Sequence, residues 1–236
     1  MDEKLIRSIE NIIGYVFKDK QLLITAMMHS SYANEQGLPR TACNERLEFL
    51  GDAVLETACS VWLFGTYPDA PEGYLSKKRA SIVCEPTLAA CAREIDLKTY
   101  LLLGKGERHT GGDNRDSILS DAFEALIGAI YLDGVTAHSD RFIHEHVRKD
   151  IEEKIKFRDS MTLLQELIQK YTHEPIVYED TGRTGPDHDS TFYVRIRVGE
   201  RILSSGSGRS KQAAGQDAAY KALPIAEKIF EKEINR

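Results

Sequence analysis

Residues 44–55 read Asn44-Glu45-Arg46-Leu47-Glu48-Phe49-Leu50-Gly51-Asp52-Ala53-Val54-Leu55, and their spacing predicts a helix with two unlike faces. Glu45, Glu48 and Asp52 stand at i, i+3 and i+7, so they share one face. Leu47, Leu50 and Val54 repeat the spacing and give an apolar stripe expected to pack inward. An ordinary amphipathic helix with a solvated acidic side would account for this much. Two features point further. Arg46 is the one base among the acids, and Gly51 sits mid-helix although Gly costs about 1 kcal/mol there relative to Ala. A glycine in such a place lets a neighbouring backbone or a ligand come close.

A second acid pair lies downstream in Ile118-Leu119-Ser120-Asp121-Ala122-Phe123-Glu124-Ala125-Leu126-Ile127-Gly128-Ala129. Its flanks are apolar almost all round, which predicts a buried helix from about Ser117 to Leu132. Buried carboxylates must be paired, protonated or bound to a cation. Arg115 lies six residues before Asp121, and no further Lys or Arg follows until Arg141. Pairing with a distant base is the plain alternative. If Glu48, Asp52, Asp121 and Glu124 converge, repulsion decides: charges roughly 4 Å apart repel by about 4 kcal/mol at an effective dielectric of about 20. Such a cluster needs protons or a multivalent cation. All-oxygen donors select a hard ion, Mg²⁺ or Mn²⁺, over zinc. Ions of that kind suit phosphodiester hydrolysis. Spacing gives the two helical pairs but not their meeting.

Around these helices, residues 1 to about 155 read as nearly all helix. Ile6, Ile9, Ile12 and Ile13 form one stripe, and a helix from Gln21 to His29 follows. A polar loop, Asn34 to Arg40, leads into the acid-bearing helix, expected to run to Phe64. Helices are expected over Tyr74 to Cys84, from Pro86 onward, and over His138 to about Phe157, with a loop at Gly104 to Asn114. From Asp159 the pattern changes. Thr162 to Tyr171 reads as a helix with Leu163, Leu164, Leu167 and Ile168 inward, and Ile176 to Asp180 as a short strand. Phe192, Val194, Ile196 and Val198 alternate with polar residues as a half-buried strand does. Gly199-Glu200 suits a tight hairpin, and Ser210 caps an Ala-rich final helix. The order there is α-β-β-β-α. The fold class expected is an all-α domain, 1–156, followed by a small α+β domain, 157–236.

The 236 residues, 29% charged and 42% hydrophobic, are ordinary for a globular protein, and the net charge of −6 excludes a generally basic coat. No apolar run approaches the ~20 residues that span a bilayer, and Asp2-Glu3 stand where a signal peptide is basic. Cys43, Cys59, Cys84 and Cys91 show no CxxC spacing and read as reduced thiols of a cytoplasmic protein. His144-Glu145-His146 is a poor metal site because i and i+2 diverge on a helix. His29 and His109 receive no role.

The 44–53 stretch resembles the ribonuclease III signature, N-E-R-L-E-F-L-G-D-A, at every position. In that family the signature helix and a later D-x-x-E helix face one another around Mg²⁺. The resemblance implies that Glu48, Asp121 and Glu124 hold the metal, with Mn²⁺ as a substitute, and that Asp52 and Glu124 are catalytic. Glu45 and Glu72 match supporting acids, the latter in the family string Glu72-Gly73-x-Leu75-Ser76-x-x-Arg79-Ala80. Phe49 matches an aromatic that docks into a partner, which implies a homodimer through the helical domain. The activity implied is cleavage of double-stranded RNA to 5′-phosphate and 3′-hydroxyl ends with two-nucleotide 3′ overhangs, on ribosomal RNA precursors and some messenger RNAs.

Residues 159 to 228 resemble a double-stranded RNA-binding domain, which reads A-form shape through 2′-hydroxyls and phosphates. Thr162, Gln165, Glu166 and Gln169 match its first contact, the loop Gly185-Pro186-Asp187-His188 its second with His188 as the contact residue, and Arg209 and Lys211 its phosphate contact. Gln212 departs from the family, where many members carry a second Lys. Two rival functions are a duplex-binding module whose helical domain only dimerises, and a metal phosphohydrolase for nucleotides. The four acids speak against the first and residues 159–228 against the second.

Overall fold

The apolar spacings of the N-terminal part become helices in the computed structural model, which describes residues 2–172, 174–186 and 190–234. In chain order they are α1 (Glu3–Ile13), α2 (Lys20–Ala26), α3 (Ser30–Glu35), α4 (Glu45–Thr66), α5 (Glu72–Ile82), α6 (Glu85–Glu94), α7 (Lys105–His109), α8 (Asp116–Asp133) and α9 (Thr136–Ile143). A helix apolar on nearly all sides must be surrounded. Accordingly α8 buries Leu119, Ala122, Phe123, Leu126, Ile127 and Ile130, and α2, α4, α6 and α9 pack around it. Its last residue, Asp133, fastens the beginning of the chain. It accepts hydrogen bonds from the Tyr15 hydroxyl at 2.8 Å and from the backbone N–H groups of Lys18 and Asp19 at 2.7 and 2.8 Å.

Several expected elements differ. The buried seam of α4 is Leu47, Gly51, Leu55, Cys59 and Leu63, rather than Leu47, Leu50 and Val54. Leu50 and Val54 are half-exposed. The seam steps by four because α4 crosses α8 along one row of side chains. In α1, Ile12 faces out and Glu10 is buried in its stead. The Glu10 carboxylate is satisfied there by Lys20 Nζ at 2.5 Å and the Phe17 N–H at 2.8 Å. The polar stretch from Asn34 begins in the last residues of α3 and ends in a 3₁₀ turn at Arg40–Ala42, and the Gly104–Asn114 loop contains α7 and a 3₁₀ turn at Gly112–Asn114. The helix expected over His138 to Phe157 is broken. α9 widens into a π turn at His144–Arg148, and Asp150 takes a left-handed φ of 57°. The wide turn lets the buried Arg148 reach back to Asp140, 2.9 Å from Oδ1.

The chain divides into two compact units, Met1–Ile151 and Glu152–Arg236. The boundary expected at 156–157 falls inside the next helix, α10 (Ile151–Arg158). The break follows the backbone turn at Asp150 instead of the change in composition.

In the second unit α10 is followed by α11 (Ser160–Tyr171), β1 (Ile176–Thr184), β2 (Thr191–Val198), β3 (Arg201–Gly208) and α12 (Lys211–Ile234). The strands form an antiparallel sheet in the order β1-β2-β3. Val194, Ile196 and Val198 of β2 are buried as the alternation demands, and Ile196 and Val198 share a core with Leu164, Ile168 and Ala222. β1 is longer than expected, and Leu163 is 37% exposed rather than inward. Ser210 caps α12, its Oγ accepting the Ala213 N–H at 3.1 Å. The architecture is thus an all-helical unit followed by an α-β-β-β-α unit.

Candidate active site and nucleic-acid interface

Two glycines set the pocket. A Cβ built on Gly51 would stand 1.8 Å from the carbonyl oxygen of Glu124, and one built on Gly128 would stand 2.3 Å from that of Leu47. No side chain fits in such gaps, so α4 and α8 touch backbone to backbone at this crossing. The acids sit at the same turns. Glu48 and Asp52 flank Gly51, while Asp121 and Glu124 lie about two turns and one turn before Gly128. The crossing therefore brings together the two pairs that spacing alone left apart.

Electrostatics reports the same convergence. The Glu124 carboxyl is pushed up to about 8, first by burial and then by the charges of Asp52, Glu48 and Asp121. Glu48 is pushed up to about 6 by burial, then by Asp121, Glu45 and Asp52. Asp121 is also raised, by burial above all. The Ser120 hydroxyl and the ring of His29 oppose that rise, and Glu85 adds to it. Glu124 and Glu48 thus feel the neighbouring carboxylates through a poorly solvated gap, where like charges disfavour ionisation.

The donor set is oxygen throughout, which fits a hard divalent cation. Among the described residues no three His, Cys, Asp or Glu side chains close on one point. A Mg²⁺-type ion needs no such cage, because it keeps several waters and takes one or two carboxylates directly. Glu45 is exposed on the first turn of α4, at the rim. Glu72 stands elsewhere: it opens α5, accepts the Ser76 hydroxyl at 2.6 Å, and lines a hollow with Ser60, Leu63 and Phe64 near the far end of α4. Twelve helical residues separate Ser60 from Glu48, about 18 Å at 1.5 Å per residue. Phe49 is 81% exposed, and Val61 and Phe64 are likewise uncovered.

His29 and Glu85 were not assigned from the sequence, yet both bear on Asp121. His29 caps α3, and its Nδ1 accepts the Ser31 N–H at 3.2 Å. In the neutral ring the proton is therefore on Nε2. A cavity of about 460 Å³ lies beside it, lined also by Ser30, Asn34, Arg40 and Glu45. The available signal was a His directly before a helix-opening Ser.

In the second unit Thr162, Gln165, Glu166 and Gln169 are all exposed on one side of α11. Gly185 and Pro186 follow β1, whereas His188, the expected contact, lies outside the described residues. Arg209 and Lys211 are exposed at the start of α12, with Gln212 beside them. Lys211 is not idle: its Nζ stands 2.6 Å from Asp180. Among the described residues no helix is long and apolar enough to cross a membrane.

Comparison with known proteins matches both units to described families. The family model described as Ribonuclease-III-like matches residues 19–151, and that described as Double-stranded RNA binding motif matches residues 160–224. "Ribonuclease 3" of Caldanaerobacter subterraneus is 46% identical over 222 residues, 93% of this chain and 97% of that one. "Ribonuclease 3" of Streptococcus agalactiae is 46% identical over 225 residues, 94% and 98% of the two chains. A solved nuclease domain of ribonuclease III from Campylobacter jejuni, whose description refers to a region involved in dimer formation, is 40% identical with a TM-score of 0.57. It covers 61% of this chain and 96% of its own.

Proposed function

The chain belongs to the ribonuclease III family, and on that premise we propose that its acid pocket hydrolyses double-stranded RNA with a bound divalent cation, Mg²⁺ with Mn²⁺ as a substitute. The observation that carries this reading is the Gly51–Gly128 crossing, which sets Glu124 against the turn that bears Glu48 and Asp52. Glu48, Asp121 and Glu124 would hold the cation, in part through its bound waters. When bound, the cation lowers the pKa of the attacking water and neutralises charge on the phosphoryl oxygens.

The chain's own groups do the rest. The Glu124 carboxyl, which burial and its neighbours make retain its proton, would hold the cation once that proton has left to solvent. Asp52 is exposed to solvent at the pocket edge, where a carboxylate oxygen accepts a hydrogen bond from water and aims it at phosphorus. The water oxygen bonds to phosphorus and releases a proton to solvent as the bond from phosphorus to the 3′ oxygen breaks, and that oxygen takes up a proton from solvent. The products are a 3′-hydroxyl and a 5′-phosphate.

The uncovered apolar face with Phe49 supports a homodimer through the nuclease unit, since apolar patches of this kind on soluble proteins mark interaction sites. Two active sites on one duplex give staggered cuts with two-nucleotide 3′ overhangs. Glu72, remote from the acids of its own chain, would serve a cleft only by way of a second copy. The α11 face and the start of α12 bind the duplex, with Arg209 and Lys211 on phosphates. The substrates proposed are ribosomal RNA precursors and some messenger RNAs, in the cytoplasm. One assay tests the reading: a labelled hairpin duplex incubated with and without Mg²⁺, then analysed for end chemistry and overhang. Cleavage that persists in chelator, or intact duplex with Mg²⁺, refutes it.

A further inference from the structure

β1 carries a bulge. Its pairing to β2 shifts register between Asp180 and Gly182, and Oδ1 of Asp180 accepts the Gly182 N–H at 3.0 Å. That bond fixes the carboxylate against the backbone. The second oxygen, Oδ2, stands 2.6 Å from Nζ of Lys211, the first residue of α12. The two oxygens thus have separate partners, one that positions the group and one that it neutralises. The start of a helix with a lysine beside it attracts anions, because unpaired N–H groups and the helix dipole add to the ammonium charge. Here an anion from the same chain already sits at that lysine.

We propose that Asp180 is a built-in competitor for RNA phosphate: it holds the Lys211 ammonium in the free chain and must be displaced before a duplex can engage it. The proposal rests on the reading of Lys211 as a phosphate contact. Asp180 lies well below the usual carboxylate range, chiefly through its hydrogen bond from Lys211, so it remains charged under any condition in which RNA binds. The pair is exposed, 67% at Lys211 and 43% at Asp180, and exposed pairs are weak. The competitor therefore tunes affinity without blocking it. Its presence lowers the number of counterions that net binding releases. It also gives this chain a second device, beside Gln212, for holding RNA loosely enough to let products go.

The test uses the full-length chain, a duplex of about 20 base pairs and a chelating buffer, with Kd measured across a salt series. Asp180→Asn keeps an oxygen for the Gly182 N–H and removes only the charge. It is expected to tighten binding about threefold at low salt, the range of an exposed ion pair, and to steepen the log–log salt slope by up to about one. Lys211→Ala is expected to weaken binding, and adding Asp180→Asn to it is expected to change nothing further. Asp180→Asn that leaves binding unchanged or weaker, while Lys211→Ala weakens it, overturns the competitor. The same threefold gain on the Lys211→Ala background also overturns it, since the effect is then one of general charge. Wild-type binding by Lys211→Ala itself removes the phosphate reading instead, and the competitor with it.

Discussion

Glu124 in the nuclease unit has carboxylates for neighbours and keeps its proton to about pH 8, whereas Lys211 in the RNA-binding unit has a carboxylate 2.6 Å away. Both side chains are placed to meet a charge that comes from outside. In the first case the fold supplies the wrong sign and leaves the group unsatisfied, on helices locked by a backbone contact. In the second it supplies the right sign in advance, on an exposed surface. The difference follows from dielectric. Crowded carboxylates in a poorly solvated gap interact strongly, so they keep a proton or take a cation in its place. A lysine in water interacts weakly with any partner, so its partners exchange.

The largest effect expected is from Glu124→Gln, which breaks the comparison at its centre. Cleavage of a duplex is expected to vanish with Mg²⁺ present, while duplex binding stays within a fewfold of wild type because the RNA-binding unit is untouched. Retained cleavage would show that the metal assignment is wrong. Next comes Gly51→Ala. Its methyl would overlap the Glu124 carbonyl, and overpacking of that kind costs about 3 kcal/mol. A chain of this size then loses roughly 6–12 °C of Tm, which calorimetry resolves, and cleavage falls with it. An Ala variant as stable and active as wild type would mean that the helices do not need their close approach.

How much of this was legible in the sequence depended on the kind of signal. Gly51 within an apolar seam announced a close approach, and the approach was found. Its partner at Gly128 went unremarked because a glycine in a wholly apolar helix looks like one more small residue. The inward stripe of α4 was misassigned at Leu50 and Val54 because apolar residues lie on two sides of that helix. Periodicity cannot tell a core face from an uncovered one. His29 could not be assigned, since its relation to Asp121 is made by the fold across ninety residues of chain. The pair of Asp180 and Lys211 was invisible for the same reason: a β-bulge and a helix start meet only in three dimensions. Strict alternation in β2, by contrast, needs no distant partner to be read.

The unsatisfied state of the acids has a pH signature. Glu124 and Glu48 are raised from an ordinary 4.5 to about 8 and about 6, so the folded chain binds protons there that the unfolded chain releases. Their contribution to stability is complete below about pH 4.5 and is lost as pH rises through about 6 and then 8. Melting in chelator is therefore expected to show a falling contribution from these groups between pH 5 and 8. A Mg²⁺ ion bound by these carboxylates would take their ionised forms, so its upward shift of Tm is expected to grow over the same interval. Glu124→Gln is expected to flatten both trends. A Mg²⁺ shift independent of pH would detach the cation from these carboxylates.

The smallest effect separates neutral from charged contacts in the RNA-binding unit. Gln165 and Gln169 are exposed on α11, where an amide can both donate to and accept from minor-groove groups. Each lost hydrogen bond is worth about 1 kcal/mol, so Gln165→Ala and Gln169→Ala are each expected to weaken duplex binding about fivefold. A neutral amide displaces no counterion, so the salt slope of these variants should match that of wild type. Loss of a phosphate contact instead reduces the slope by about one. Parallel salt series for these variants and for Lys211→Ala on the Asp180→Asn background, where the lysine is free of its carboxylate, therefore test which side chains read shape and which hold charge. A glutamine variant with a reduced slope would move that face of α11 onto the phosphates.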